Sequence, residues 1–372
     1  MKKLKDILKI TFVLLMACNT NMNAQQRGAV VSPEVHADNS VIFRFVAPQA
    51  QKVELSAQFL TDRLLMSKDE TGLWSVKTQP VIPDIYPYFF VVDGISVADP
   101  GNVLMFPNER FKNSLVDVQG QTSLIQSIRN VPHGKLTYEY YESQTLHDTR
   151  PLLIYTPPGF NPQSNKRYPV LYLIHGATDT HETWFKVGRT NFILDNLIAQ
   201  GKAEPMIVVM PYANTGMTYL GTPMTIAQNS AQNLFNEEIT KEIIPFVESH
   251  YNVITNAEGR AIAGFSRGGR QTLDAGLAYP EIFAYVCAFA PAGNLDNFEN
   301  GSYASASDLK AKLKLLWLSC GTDDTLYPRS LDIVKKLDEL GIPYEKMFTP
   351  GGHTWMNCRI YLTEIAQKIF KK

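Results

Sequence analysis

Residues 261–269 read Ala261-Ile262-Ala263-Gly264-Phe265-Ser266-Arg267-Gly268-Gly269. An apolar run of the kind that forms a buried strand leads into a serine set between glycines. A helical stretch at 271–279, stopped by Pro280, leads out. By composition alone, G-x-S-x-G arises in about one chain in ten of this length, so the pentapeptide decides little without its surroundings. Strand, serine and helix together make the elbow that lifts a hydroxyl above the carboxyl edge of a sheet, and the glycines serve a tight turn where neighbouring chains come close. The competing reading is a phosphate-cradling or purely structural turn. The nucleophile reading asks more of the chain, because a serine hydroxyl needs a base, an acid and amide donors around it.

The surroundings have the right grammar. Compact apolar runs stand at 152–155, 170–174, 206–210, 261–263, 285–290 and 313–318, and helical stretches lie between them at 191–200, 233–251, 271–279 and 330–340. Such alternation predicts a mostly parallel sheet with helices on both faces. The Gly-rich spots form no dinucleotide fingerprint after the first strand, which argues against a dehydrogenase. Upstream the pattern differs. Short β-like runs at 41–45, 52–55, 73–76 and 88–92 are broken by Pro, Gly and Asp, which predicts a small all-β sandwich over residues 27–120. Trp74, Tyr86 and Tyr88 are expected in its core, since buried aromatics dominate such small sandwiches. A polar link at about 119–130 separates it from the second domain, residues 127–372.

Composition sets the outer bounds. The chain has 372 residues, 45% hydrophobic and 19% charged, with a net charge of −1. That balance describes a globular protein and gives no field to gather nucleic acid. Lys2, Lys3, Lys5 and Lys9 precede a short apolar run at 10–17, the order of a secretory signal, here residues 1–24. Leu15-Met16-Ala17-Cys18 is similar to a bacterial lipobox, and a competing cleavage follows Ala24. Membrane contact is expected only through a lipid anchor at Cys18. Cys287, Cys320 and Cys358 are expected to be small buried residues.

In a sheet of this kind the acid and the histidine follow the nucleophile in the order Ser, Asp, His. Of seven histidines only His353 lies downstream of Ser266, in Thr349-Pro350-Gly351-Gly352-His353-Thr354-Trp355. The carboxylate belongs in Gly321-Thr322-Asp323-Asp324, directly after a strand, and either aspartate is within reach. The oxyanion donors are expected to be the N–H of Arg267, next after the nucleophile, and that of Ala177 in the loop Leu173-Ile174-His175-Gly176-Ala177. His175 reads as a structural hydrogen-bonder. A metal reading of His175 with His181 lacks a third ligand.

Together the segments LYLIHG, NFILDNLIAQGKAEPMIVVMP, GFSRGG, CGTDD and GGHTW resemble the esterase D-type α/β hydrolases. More narrowly they resemble carbohydrate esterase family one, which includes feruloyl and acetylxylan esterases. The likeness runs over residues 127–372. The upstream sandwich, around Trp74, Tyr88 to Gly94 and Asp99-Pro100, is similar to the immunoglobulin-like early-set, carbohydrate-binding-module-like domains in front of polysaccharide enzymes. The resemblance implies a triad of Ser266, His353 and Asp324, because the family places its acid last in the G-T-x-D tetrad. Two departures stand out: Ala177 and Arg267 occupy positions where many relatives carry Gly and Met. Backbone donation survives both changes, but Arg267 sets a cation beside the nucleophile.

The implied reaction is removal of feruloyl, other hydroxycinnamoyl or acetyl groups from a plant cell-wall polysaccharide such as arabinoxylan, with no cofactor and no metal. Trp184, Tyr212, Tyr219 and Trp355 fall near the carboxyl edge of the sheet and are candidates for an aromatic substrate wall. Two alternatives compete: an esterase for a siderophore trilactone, and an inert glycan-binding surface lipoprotein. Retention of Ser266, Asp324 and His353 together argues against the inert form.

Overall fold

The structure, a computed structural model, describes residues 30–120, 124–219, 221, 223 and 231–371, without the side chains of 231–233. The expected signal segment, Cys18 and the cleavage position after Ala24 lie outside the described residues. The chain divides into two compact units, one running up to Val81 and including Tyr88–Leu104, the other formed by Ile82–Pro87 and the chain from Met105 onward.

The first unit is built from short strands: β1 (Glu34–Val35), β2 (Val41–Val46), β3 (Val53–Ala57), β4 (Leu64–Leu65), β5 (Ser67–Lys68), β6 (Leu73–Lys77), β7 (Ile85–Val92) and β8 (Ile95–Val97). They form two antiparallel sheets, ordered β1-β2-β6-β5 and β4-β3-β7-β8. Aromatic side chains from both sheets meet between them. Phe43 of β2 stands edge-on to Tyr88 of β7 at 4.7 Å between ring centroids, and Phe45 lies 4.9 Å from Phe90. Trp74 and Tyr88 are buried here as expected, and each polar end is satisfied: the Trp74 indole donates to Ala47 O, and the Tyr88 hydroxyl donates to Asp99. Tyr86, also buried, falls in the second unit.

The second unit carries β9 (Ser114–Asp117) and an eight-stranded sheet of β10 (Lys135–Ser143), β11 (Asp148–Thr156), β12 (Val170–Ile174), β13 (Ile207–Pro211), β14 (Arg260–Phe265), β15 (Tyr285–Phe289), β16 (Leu315–Gly321) and β17 (Glu345–Thr349). The order is β10-β11-β13-β12-β14-β15-β16-β17. The last six of that order are parallel, and β10 and β11 add an antiparallel edge. The helices are α1 (Thr183–Lys186), α2 (Thr190–Ala199), α3 (Ala231–Glu238), α4 (Ile244–His250), α5 (Arg267–Ala278), α6 (Ala306–Lys312), α7 (Tyr327–Leu340) and α8 (Trp355–Ala366).

The unbroken apolar runs have a direct cause. Side chains alternate across a strand, and here both faces are buried. Leu171, Leu173, Ala261, Ala263, Cys287 and Phe289 enter one core, packed on Leu194 and Leu197 of α2 and on Tyr361 and Leu362 of α8. Val170, Tyr172, Ile174, Ile262, Val286 and Ala288 enter the other, against Leu273 and Leu277 of α5 and Ile333 and Leu337 of α7. Each fully buried Val, Leu, Ile or Phe among them contributes roughly 1.5–3 kcal/mol relative to exposure.

Two of the differences from expectation have a plain physical cause. β10 was not foreseen, because it is an edge strand whose residues alternate toward solvent, so Tyr138 and Tyr140 interrupt the apolar signal. The helix expected at 233–251 is broken into α3, a π-helical turn at Ile239–Ile243, and α4. Pro245 in the first turn of α4 lacks the N–H that an unbroken ladder needs there, and the wider turn absorbs the missing bond.

Candidate active site

Parallel strands end on one edge, so the loops after β12, β13, β14, β16 and β17 gather there. Ser266 sits between β14 and α5 with φ 58° and ψ −115°, a strained conformation for a residue with a Cβ. The surroundings hold it there. Its N–H donates to Phe289 O at 2.9 Å, and its carbonyl accepts from Arg270 N and Ala292 N, both at 3.0 Å. The flanking glycines leave the room this needs. A Cβ on Gly264 would lie 2.4 Å from Gly268 O, and one on Gly268 would lie 2.5 Å from His175 O. The second contact is the more telling, because it lets the end of β12 press against the start of α5. That approach brings the His175–Ala177 loop beside the serine.

His353 lies in the loop between β17 and α8, and its ring stacks on Phe265, the residue before Ser266, at 4.3 Å between centroids and 28° between planes. His353 Nδ1 is 2.6 Å from Asp324 Oδ2, a short charge-assisted contact. Asp324 is buried, and its other oxygen accepts from Leu326 N at 2.8 Å. Asp323 turns away toward solvent and accepts from Gly351 N at 3.0 Å, so it ties the β16 loop to the histidine loop. Geometry thus separates two neighbours that spacing along the chain left level and of which the family resemblance named Asp324.

The loop expected to supply an oxyanion donor is held from behind. His175 is buried, and burial beside the Arg267 guanidinium keeps it far below the usual imidazole range, so it is neutral. Its Nε2 accepts from Ala213 N at 2.9 Å, which leaves the proton on Nδ1 to donate to Gly176 O at 2.8 Å. That carbonyl also receives Arg267 Nη2 and Asp179 N at 3.5 and 3.4 Å. The peptide is planar and trans, so donors on Gly176 O point the N–H of Ala177 the opposite way. The N–H of Arg267, first residue of α5, is among the helix-start donors with no intrahelical acceptor. With both ring nitrogens engaged, His175 has no lone pair to offer a metal. His181 is buried too, its pKa pushed down to about 4, and no cluster of three His, Cys, Asp or Glu suited to a metal occurs among the described residues.

Three supporting residues escaped the sequence reading. Asn108 Nδ2 donates to Asp179 Oδ1 at 2.9 Å, and Glu109 accepts from the Tyr212 hydroxyl and from Asn214 Nδ2. Burial lifts the Asp179 carboxyl to about 7, against the opposing pull of Asn108 and Arg267. Asp179 lies three residues past Gly176 and was legible as part of that loop. Asn108 and Glu109 lie some 70 and 100 residues from their partners, and nothing local marks them.

The four aromatic candidates do not behave alike. Trp184 is wholly buried: its indole N–H donates to Ile174 O, and its ring packs on Trp355 and Phe289. It cannot line a substrate wall, and the expectation that it does is corrected to a core role beneath the site. Trp355 and Tyr212 are nearly buried as well, whereas Tyr219 is 39% exposed. Cys287, Cys320 and Cys358 are free and buried. Burial raises all three thiols, that of Cys320 to about 11, which leaves them protonated and unreactive at neutral pH.

Comparison with known proteins places this geometry in a family. Residues 143–369 match the family model "Putative esterase". The chain is 28% identical over 349 residues to the endo-1,4-beta-xylanase/feruloyl esterase of Xylanibacter ruminicola, covering 91% of this chain and 46% of that one. It therefore spans about half the length of that curated relative. A CE1 ferulic acid esterase from Anaeromyces mucronatus, solved with ferulic acid, superposes with TM-score 0.58 at 25% identity over 66% of this chain and 93% of that one. The enterochelin esterase of Shigella flexneri shares the fold more widely, with TM-score 0.67 over 94% and 97% at 16% identity. With more than half of its length matched by the family model, the chain belongs to the putative esterase family.

Proposed function

We propose that the chain hydrolyses esters on plant cell-wall polysaccharide such as arabinoxylan, releasing feruloyl or another hydroxycinnamoyl group, or acetyl, through an acyl-enzyme on Ser266. The observation that carries this reading is the 2.6 Å contact between buried Asp324 and His353, whose ring stacks on the residue before the serine. His353 takes the Ser266 proton on Nε2 as Oγ attacks the ester carbonyl. Asp324 keeps the opposite nitrogen protonated and stabilises the imidazolium. The N–H groups of Ala177 and Arg267 bind the oxyanion. The intermediate collapses, His353 returns the proton to the departing sugar oxygen, and the acyl group stays on Ser266. Water, deprotonated by His353, then releases the acid. No step calls for a metal or organic cofactor.

The substrate class draws on two relatives: one whose name joins a xylanase to a feruloyl esterase, and one solved with ferulic acid. Among the four aromatic candidates, Tyr219 has the exposure to touch a substrate. The N-terminal unit reads as an immunoglobulin-like early-set sandwich. The lysine-rich start and the apolar run behind it assign export, to the periplasm or, with lipid on Cys18, to the outer membrane.

The test is release of ferulate and of acetate from arabinoxylan fragments by the wild type and by Ser266→Ala. Ferulate or acetate release that vanishes in the variant is the expected result. If neither acid appears while an aryl acetate is cleaved, the site is active and the substrate is wrong; hydrolysis of a catechol trilactone would then redirect the reading to a siderophore. If the aryl acetate also survives, the esterase reading fails.

A further inference from the structure

On the antiparallel edge of the sheet three tyrosines stand exposed together: Tyr138 at 46%, Tyr140 at 51% and Tyr219 at 39%. Tyr138 and Tyr140 are two residues apart on β10, so they share one face at a spacing of about 7 Å, on the scale of one sugar ring. Tyr219 arrives from the loop after β13 and sets its ring 6.2 Å from that of Tyr140. His181 joins the set, 5.7 Å from Tyr219 and 6.0 Å from Tyr138. Polar contacts fix the positions. The Tyr138 hydroxyl donates to Glu182, and the Tyr219 N–H donates to Asp148 Oδ2 at 2.9 Å. Rings held in place with their surfaces still exposed lose little freedom when a ligand settles on them.

The patch leads somewhere. The Tyr219 ring is 5.9 Å from Tyr212, and Tyr212 stacks at 5.9 Å on His175, whose side chain holds the Gly176 carbonyl of the oxyanion loop. A chain of ring contacts therefore couples the exposed edge-strand patch, through the buried Tyr212 and His175, to the loop beside Ser266. Large aromatic groups exposed in a row are costly to leave in water and mark a binding surface. Tyrosine offers a flat apolar face with a hydroxyl at its rim, which suits a ligand that is itself flat, uncharged and hydroxylated.

We propose that Tyr138, Tyr140 and Tyr219 form a glycan-binding ridge, which takes the polysaccharide backbone flanking the ester that Ser266 attacks. This rests on the ester-hydrolase reading for what the ridge holds, but binding to the ridge does not require turnover. The ridge acts on the polymer and is blind to a small ester that reaches only the serine.

Two measurements separate the parts. Affinity electrophoresis in soluble arabinoxylan compares Ser266→Ala with the same chain also carrying Tyr138→Ala and Tyr140→Ala. Retardation should weaken about tenfold with the ridge removed, a loss of two modest aromatic contacts. Unchanged retardation, or none in either protein, overturns the ridge. The second measurement puts Tyr138→Ala/Tyr140→Ala, in the otherwise wild-type chain, on methyl ferulate and on feruloylated arabinoxylan oligosaccharides. KM should rise about tenfold for the oligosaccharide and hold within about twofold for methyl ferulate. An equal loss on both substrates shows general damage and overturns the proposal, as does tighter association of the wild type with itself or with vesicles than with arabinoxylan. Failure of the wild type to cleave methyl ferulate counts against the feruloyl form of the ester reading alone, since the electrophoresis still decides the ridge.

Discussion

Replacing Asp324 by Asn keeps the shape of the site and reverses one hydrogen bond. One carboxylate oxygen accepts from Leu326 N at 2.8 Å and the other from His353 Nδ1 at 2.6 Å. In the amide a single oxygen remains, and the Leu326 N–H is a fixed backbone donor that claims it. The NH2 group then faces His353, whose Nδ1 must become an acceptor, so the ring proton moves to Nε2. That is the nitrogen required to take the serine proton. A base held in the wrong tautomer loses about 10⁴ in kcat, or about 5.5 kcal/mol of barrier. Because shape and burial are preserved, the melting temperature should move by only a few degrees. Asp323→Asn is the matched control. Asp323 is exposed and its carboxylate accepts from Gly351 N, so its replacement should cost less than about tenfold. The assay is steady-state hydrolysis of an aryl acetate by both variants, with melting curves alongside. A larger loss in Asp323→Asn, or a loss under tenfold in Asp324→Asn with the fold intact, refutes the assignment.

Three further outcomes follow from the same geometry. His175→Ala removes the donor to Gly176 O and the acceptor for Ala213 N. With Ala177 N–H no longer aimed, kcat and the rate of fluorophosphonate labelling should fall together by about 10², whereas unchanged rates would show that the loop is set by other contacts. Gly268→Ala forces a methyl to 2.5 Å from a backbone carbonyl. It should cost about 1–3 kcal/mol, read by urea denaturation, and lower kcat as the β12 loop is displaced. Asp179 has a folded-state pKa raised by burial to about 7. The folded state therefore binds its proton more tightly than the unfolded chain, and stability falls as pH rises from about 4 through about 7. Asp179→Asn should melt higher than the wild type at pH 8 and equally at pH 4; equal melting at both would show that Asp179 is not desolvated as the structure has it.

Much of the site was legible because its signals are local. A strand, a serine between glycines and a helix are consecutive, and the expected acid and base loops each follow a strand, so chain order alone proposed Ser266, His353 and one of two adjacent aspartates, and the family resemblance named Asp324. The parallel sheet was legible for a related reason. When both faces of a strand are buried, every position along it is apolar, and β12 and β14 read as unbroken runs. Edge strand β10 hid itself because half of it faces water.

Tertiary structure alone decided what depends on direction. Asp323 and Asp324 are chemically identical neighbours, and only the turn after β16 sends one inward to His353 and the other out to Gly351. Trp184 and Tyr219 are both aromatic residues near the same edge, yet one is sealed between Trp355 and Phe289 and the other is exposed, a difference that packing creates and composition does not record. Asn108 and Glu109 acquire their roles from residues some 70 to 100 positions away. The sequence by itself determined which chemistry the chain could assemble, because that needs only residue types in order along buried strands. The fold decided which copies of those residues are placed to perform it, because burial and aim are set by contacts between segments that sequence leaves far apart.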